Sequence, residues 1–217
     1  MDSFDLEVVS CRMCPRLVEY AADVKSKGRK TGYEEKDYWS KPVPSFGPLN
    51  AELLIVGLAP GTHGAGRTGR PFTGDYAGEL LYETLYEFGM SNELKSVSAK
   101  DSLELKNVRI SNAVRCAPPN NKPTTEEVNN CKDYLVTEIG MMNSLKHILA
   151  LGSLAHKAVL ISMSVKQNAY PFGHGAEHEL GGVEWKLIDS YHPSRYNLNT
   201  GRLNAKMFKT VFENLKR

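Results

Sequence analysis

The sequence predicts an α/β fold: one three-layer α/β/α domain over residues 1–217, built on a central four-stranded, mainly parallel sheet. Three observations carry this expectation. Short apolar runs alternate with amphipathic helical stretches, the order that produces parallel strands covered by helices on both faces. The chain is 41% hydrophobic and 24% charged, enough for one sizeable core, and it contains no internal repeat, low-complexity tract or domain boundary. Polar, glycine-rich segments also follow the apolar runs directly: "GLAPGTHG", "SNAVRC", "LGS" and "SYHPSR". Open parallel sheets bind ligands outside the carboxyl ends of their strands, so His63, Asn112 and His192 are expected to converge.

The elements follow in order. "CPRLVEYAADVKSK" opens a helix at Pro15, with Leu17, Val18, Ala21 and Val24 on one face. The charged stretch Lys25 to Lys41 reads as an exposed loop. "AELLIVGLAP" predicts a buried strand over about Glu52 to Val56, ended by glycine and proline. Leu80, Leu81, Thr84, Leu85 and Phe88 recur at helical spacing before Gly89, a stop signal. "NVRISNAV" is a second strand. Thr124 and Glu127 stand in capping-box spacing at the head of "PTTEEVNNCKDYLVTEIGMM", a helix. "HILALGS" is a third strand feeding the helix "LAHKAVLISM", "VEWKLIDSYHPS" is a fourth, and "RLNAKMFKTVFENLKR" is a closing amphipathic helix.

A net charge of +2 excludes a global basic field, so any surface for nucleic acid has to be local. No apolar run approaches membrane-spanning length, and "MDSFDLEVVS" carries acids where a signal peptide carries bases. The chain therefore reads as cytoplasmic, a reducing setting in which C-x-x-C spacing points to metal or redox chemistry.

The segment "GLAPGTHGAGRTGRPFTGD", residues 57–75, holds six of the eighteen glycines. Gly61 to Thr68 spells G-x-x-x-x-G-R-T, close to a P-loop, and Gly64 to Gly69 spells G-x-G-x-x-G. Both patterns need a helix to open at once, and Gly69 and Pro71 interrupt it. What remains is a long, mobile, glycine-rich loop that lets backbone approach a ligand. Phe72 offers a flat apolar face and Asp75 a carboxylate. Their plainer readings are a core residue and a helix cap. Arg67 and Arg70 are available to phosphates or to solvent.

Cys11 and Cys14 lie on one turn, Cys116 follows the second strand, and Cys131 lies on the next helix. Four thiolates suit a [4Fe–4S] cluster or zinc, and spacing alone does not choose between them. A complete four-cysteine set leaves no open catalytic position, so such a site is a staple.

Five segments in this order, "CRMC", "GLAPGTHGAGRTGRPFTGD", "SNAVRCAPPNNKPT", the second cysteine pair and "HPSRYNLNTGRL", resemble the iron–sulfur uracil-DNA glycosylases, most closely family 5 or type B. The likeness covers nearly the whole chain. Family 4 enzymes share the cysteines but carry an acidic residue where this chain has Ala59. Gly66 departs from the asparagine that relatives commonly hold there.

The resemblance implies a monofunctional hydrolase of base-excision repair, acting as a monomer. It would flip uracil, and by extension hypoxanthine and other deaminated bases, out of DNA and leave an abasic site. It implies Phe72 stacking on the base, Asn112 bonding its edge, Gly57 and Ala59 walling the pocket, and His192 stabilising the departing anion. Asp75 is the best carboxylate for water, with His63 a second candidate. Arg195, Tyr196 and Asn197 match the loop that enters the duplex. Arg202, with Lys206 and Lys209, supplies phosphate contacts or a solvated face. The cysteines would hold [4Fe–4S], with zinc the lesser choice. Two other readings stand beside this one: a P-loop-like nucleotide-binding enzyme, and a zinc-stapled, non-catalytic DNA-binding protein.

Overall fold

The computed structural model describes residues 3–34 and 37–215. Two helices open the chain, α1 (Ser3–Ser10) and α2 (Pro15–Ser26). Then follow β1 (Leu53–Gly57), the one-turn α3 (Ala65–Thr68), α4 (Tyr76–Glu87) and β2 (Val108–Asn112). Beyond them come α5 (Thr125–Met141), β3 (His147–Leu151), α6 (Ser153–Ser162), β4 (Glu177–Glu179) and β5 (Lys186–Ser190). The described chain closes with α7 (Arg195–Asn199) and α8 (Ala205–Asn214).

The strands lie in the order β2-β1-β3-β5-β4. The first four are parallel, with Gly57 paired to Asn112 and Leu151 to Ser190, and β4 runs antiparallel to β5. The sheet therefore has five strands, against the four that the sequence predicts. The extra edge strand, "EHE", is three residues long and partly exposed, so it carries no apolar alternation to announce it.

Period-two alternation splits the strand side chains between two cores. Leu53, Ile55, Leu149, Leu151 and Ile188 pack with α4 and α8, through Leu81, Leu85, Phe208 and Phe212. Leu54, Val56, Ile148, Ala150 and Leu187 pack with α5 and α6, through Leu135, Ile139, Val159 and Leu160. This is the expected three-layer arrangement.

Local chemistry sets the helix ends. Pro15 opens α2, and Thr124 and Glu127 form the full reciprocal capping box of α5. Gly89, at φ +71, ends α4 while the Met90 N–H returns to the Leu85 carbonyl. The stretch expected as an exposed loop is packed at its far end. Tyr38 is buried, and the Trp39 and Ser40 N–H groups bond to the Arg67 and Gly66 carbonyls at 2.8 and 3.0 Å. Among the described residues no helix is long and apolar enough to cross a membrane.

Candidate active site

A cleft of about 540 Å³ opens at the carboxyl ends of β1, β2, β3 and β5. The strand order reverses beside β1, and such switch points are where open sheets bind ligands. Asn112 lines the cleft, and Gly57, its register partner on β1, lies directly behind. A Cβ at Gly57 would lie 2.7 Å from the Phe72 ring and would overlap the Asn112 amide oxygen, so only glycine lets these two groups approach. The Asn112 side chain is buried and makes no hydrogen bond among the described residues, leaving its amide for a ligand.

Phe72 sits at φ +54, left-handed backbone that disfavours a side chain bearing a Cβ. Its carbonyl presses so closely on Gly78 of α4 that a Cβ there would overlap it. Strain of this kind persists where surrounding structure over-determines it. The result is a ring facing the His192 imidazole, with centroids 6.1 Å apart and planes inclined by 31°.

His192 follows β5 and meets Gly152, at the head of α6, where a Cβ would stand 3.3 Å from the histidine's own. Its carbonyl accepts the Asn197 amide at 2.8 Å, while its ring nitrogens have no partner among the described residues. Burial pushes this imidazole down to about 4, so it is neutral at pH 7 and presents one N–H to the cleft.

The loop expected to be mobile is folded. Ala65, Arg70, Phe72 and Thr73 are buried, and the helix begun at Ala65 stops after one turn at Gly69, at φ +79. Arg67 turns back to the His63 carbonyl at 2.8 Å and stacks over Tyr33, so no phosphate cradle forms and the P-loop reading fails. Asp75 lines the cleft but does not cap its own helix, α4. Its carboxylate instead accepts the Ala65 N–H at 3.0 Å and lies against Gly61 and Gly64. Burial raises its pKa, partly offset by that N–H and by Arg67.

The structure places other expected site residues elsewhere. His63 is not part of the cleft lining; its Nδ1 shares a 3.0 Å hydrogen bond with the Tyr38 hydroxyl, and its basicity is lowered by burial and then by Lys30 and Arg67. Arg70 is buried, paired with Asp101 at 2.5 Å and stacked over Phe46, so it locks the fold and does not reach DNA. Lys209 is held by Glu83 and Glu87. Ala59, Arg195, Asn197 and Arg202 do line the cleft. Arg195 lies over the Tyr76 ring, Arg202 lies over Tyr191, and Tyr196 is 72% exposed beside them.

The four cysteines line one small cavity with Pro42, Arg115 and Tyr134. The Arg115 N–H points at the Cys131 sulfur at 3.4 Å and the Asn130 amide at that of Cys14 at 3.6 Å. A single zinc needs sulfurs about 3.8 Å apart, from Zn–S bonds of about 2.3 Å. The one group of three candidate ligands within 4.8 Å among the described residues is His156, His178 and Asp189, so no three of the cysteine sulfurs stand that close together. An all-thiolate set with N–H donors on two of its sulfurs suits the chemistry of an iron–sulfur cluster.

Residues 44–216 match the model of the uracil DNA glycosylase superfamily. The chain belongs to that superfamily. It is 44% identical to the type-5 uracil-DNA glycosylase of Thermus thermophilus, over all of this chain and 97% of the relative. It is likewise 44% identical to the type-5 enzyme of Pyrobaculum aerophilum, over 97% and 89%. The type-4 uracil-DNA glycosylase of the latter organism is 34% identical over 72% and 74%. The likeness to the type-5 group therefore spans the whole glycosylase fold.

This glycosylase fold holds cleft residues that sequence reasoning missed. Phe172 and Leu154 line the cleft, and Leu154 is 56% exposed at its lip. Phe172 is set by a buried network. The His156 Nδ1 lies 2.7 Å from Asp189, its Nε2 lies 2.9 Å from the Tyr170 carbonyl, and His178 reaches the same carboxylate at 3.0 Å. Those bonds engage the nitrogens that a metal would need, so the trio fixes the wall carrying Phe172, whose ring meets His156 edge-on at 5.6 Å. No local pattern links residues 156, 172, 178 and 189, so only the fold reveals them.

Proposed function

We propose that this member of the superfamily hydrolyses the N-glycosidic bond of uracil, and of hypoxanthine, in DNA and leaves an abasic site. The observation that carries the reading is the meeting in one cleft of Phe72, Asp75, the Asn112 amide and the His192 ring nitrogens, the last two without hydrogen bonds among the described residues. A base extruded from the duplex would lie against Phe72, with Asn112 bonding its Watson–Crick edge. Bond cleavage pushes negative charge onto the departing base and positive charge onto the sugar. His192, neutral, would donate its N–H to the anion without first losing a proton. Asp75, made more basic by burial, would take the proton of the attacking water or oppose the sugar cation. Arg195, Arg202 and Asn197, at the lip, would meet phosphates, and exposed Tyr196 would fill the gap in the stack. Without an acidic side chain at Ala59, the pocket contains no fixed charge there that would select among deaminated bases. The protein would act as a monomer.

The cysteines would carry a [4Fe–4S] cluster that serves as a staple. Cys11 and Cys14 would thereby tie α1 and α2 to β2 and α5, and the cleft holds none of the four.

Single-turnover cleavage of duplexes carrying uracil or hypoxanthine tests the reading. Strand breaks that appear only after alkali are expected from both. No abasic sites from brown, iron-replete protein would refute it, and colourless, zinc-loaded active protein would refute the cluster. Asp75→Ala is expected to slow cleavage about a hundredfold. The acid limb of the rate should lie above the ordinary aspartate value of 3.8, because burial raises this group. Gly64→Ala, whose Cβ would enter the Asp75 carboxylate, should approach the same loss. The double variant should then be no slower than Asp75→Ala, whereas additive losses would separate the two sites.

A further inference from the structure

We propose that a second groove, on the opposite side of the Gly61–Gly66 turn from the cleft, binds the phosphate backbone of duplex flanking the lesion. This rests on the glycosylase reading above and extends the DNA footprint beyond the cleft. The groove measures about 240 Å³ and lies between α2, Pro42 and the glycine-rich turn. The two cavities share that turn as a wall: Gly61 and Ala65 face the cleft, while Thr62 and Gly66 face the groove. A Tyr20–Thr62 hydroxyl pair, 3.1 Å apart, ties α2 to the turn and holds the wall in place. Duplex flanking a lesion seated at the cleft would run over this neighbouring surface.

The groove is largely apolar, and the charged side chains on its lining are those that a polyanion would meet. Arg12, Lys25 and Lys41 stand on its lining, and no aspartate or glutamate does. On α2, Val18, Ala21, Ala22 and Lys25 line the groove, while Glu19 and Asp23, one turn apart, lie outside it. Lys25 and Lys41 are exposed and form no ion pair among the described residues. Lys41 is held over the Trp39 ring at 5.5 Å, and the Arg12 guanidinium is braced on the Val9 and Cys11 carbonyls at 3.1 and 2.6 Å. A lysine with its own counter-charge looks different: Lys209 is neutralised by two carboxylates. Three cations around a concave surface lined by no aspartate or glutamate raise the positive potential at its rim, against the thiolates of Cys11 and Cys116 on its wall, although the chain as a whole carries only +2. The Ser40 hydroxyl and the one O–H left free by the Tyr20–Thr62 pair add donors suited to phosphate oxygens. Gly66 borders this groove and not the base pocket.

The test is binding by fluorescence anisotropy across a salt series. It uses the full-length protein and uracil duplexes of roughly 10 and roughly 30 base pairs, extended on either side of the lesion. In Lys25→Glu/Lys41→Glu, affinity for the longer duplex should fall at least tenfold. The slope of log K against log salt should become shallower by about 1 for each phosphate that the protein no longer neutralises. Binding of the short duplex and the single-turnover rate at saturating protein should not change, and Lys25→Arg/Lys41→Arg should keep the full affinity. Unchanged affinity and salt slope on both lengths would overturn the proposal. So would equal losses on both lengths, because the effect would then belong to the cleft. Lys25→Gln/Lys41→Gln, with unfolding temperature measured alongside, supplies the same comparison without charge reversal. Absence of cleavage by the unmodified protein would instead defeat the glycosylase reading, so the two failures are distinguishable.

Discussion

His192→Ala is expected to slow single-turnover base release a hundred- to a thousandfold, the usual loss on removing one donor to a developing anion. Binding of the uracil duplex should weaken far less, because the ring makes no hydrogen bond among the described residues and Asn197 bonds its backbone carbonyl. Equal losses in rate and binding would reduce His192 to a positioning residue for Phe72. The pH profile adds an independent readout. Burial lowers this imidazole to about 4, so it stays neutral across the range where a free histidine titrates. The rate should therefore show no inflection near pH 6.5, the ordinary histidine value. The acid limb should disappear in Asp75→Ala and remain in His192→Gln, which keeps a neutral donor. An inflection near 6.5 that vanished with His192 would mean that the charged ring is the working form.

The second large effect is on stability. Glu138→Gln is expected to destabilise the fold by about 3–5 kcal/mol, because it leaves the buried Arg115 without a counter-charge and Arg109 with only the more distant Asp5, at 3.5 Å. Glu138 is fully buried, meets Arg109 at 2.5 Å and Arg115 at 2.6 Å, and accepts the Ser111 hydroxyl at 2.7 Å. Burial alone would raise its pKa, but Arg115 and then Arg109 outweigh that and bring it down to about 2 from 4.5. A carboxyl whose folded pKa lies below its unfolded one contributes stability that is complete above the unfolded value. Denaturant unfolding should thus show stability lost as pH falls from about 4.5 towards 2, and the Gln variant should lose the Glu138 share of that dependence while Asp101 and Glu127 keep theirs. The network also reaches the cysteines, since Arg115 precedes Cys116 and donates its N–H to Cys131. The variant should expose those thiols to modifying reagents sooner. A loss below about 1 kcal/mol would mean that water replaces the missing charge.

Much of this is legible in the chain. Phe72, Asp75, Asn112 and His192 stand out in the sequence as polar or aromatic residues of segments that follow strands, and all four line the cleft. Cys11, Cys14, Cys116 and Cys131 group by residue type alone, and they share a cavity. The misplacements have a common cause. His63, Arg67 and Arg70 belong to the same glycine-rich segment as Phe72 and Asp75, and composition does not say which way each turns. Arg70 is claimed by Asp101, 31 residues away, and His63 by Tyr38, 25 residues away. The edge strand "EHE" has no apolar signature, and Phe172 no neighbouring motif.

The sequence by itself determined the element order, the helix ends and the pairing of chemistry-bearing loops with strand ends. Each of these depends on residues within about four positions: alternation in β1, the Thr124–Glu127 box, the glycine after α4. Tertiary structure alone decided which face of the glycine-rich turn looks into the cleft and which into the basic groove. It also decided that Asp75 serves α3 in place of its own helix, and that Arg70 is buried. Those outcomes follow from interactions between residues far apart in the chain, where burial and charge pairing override local preference.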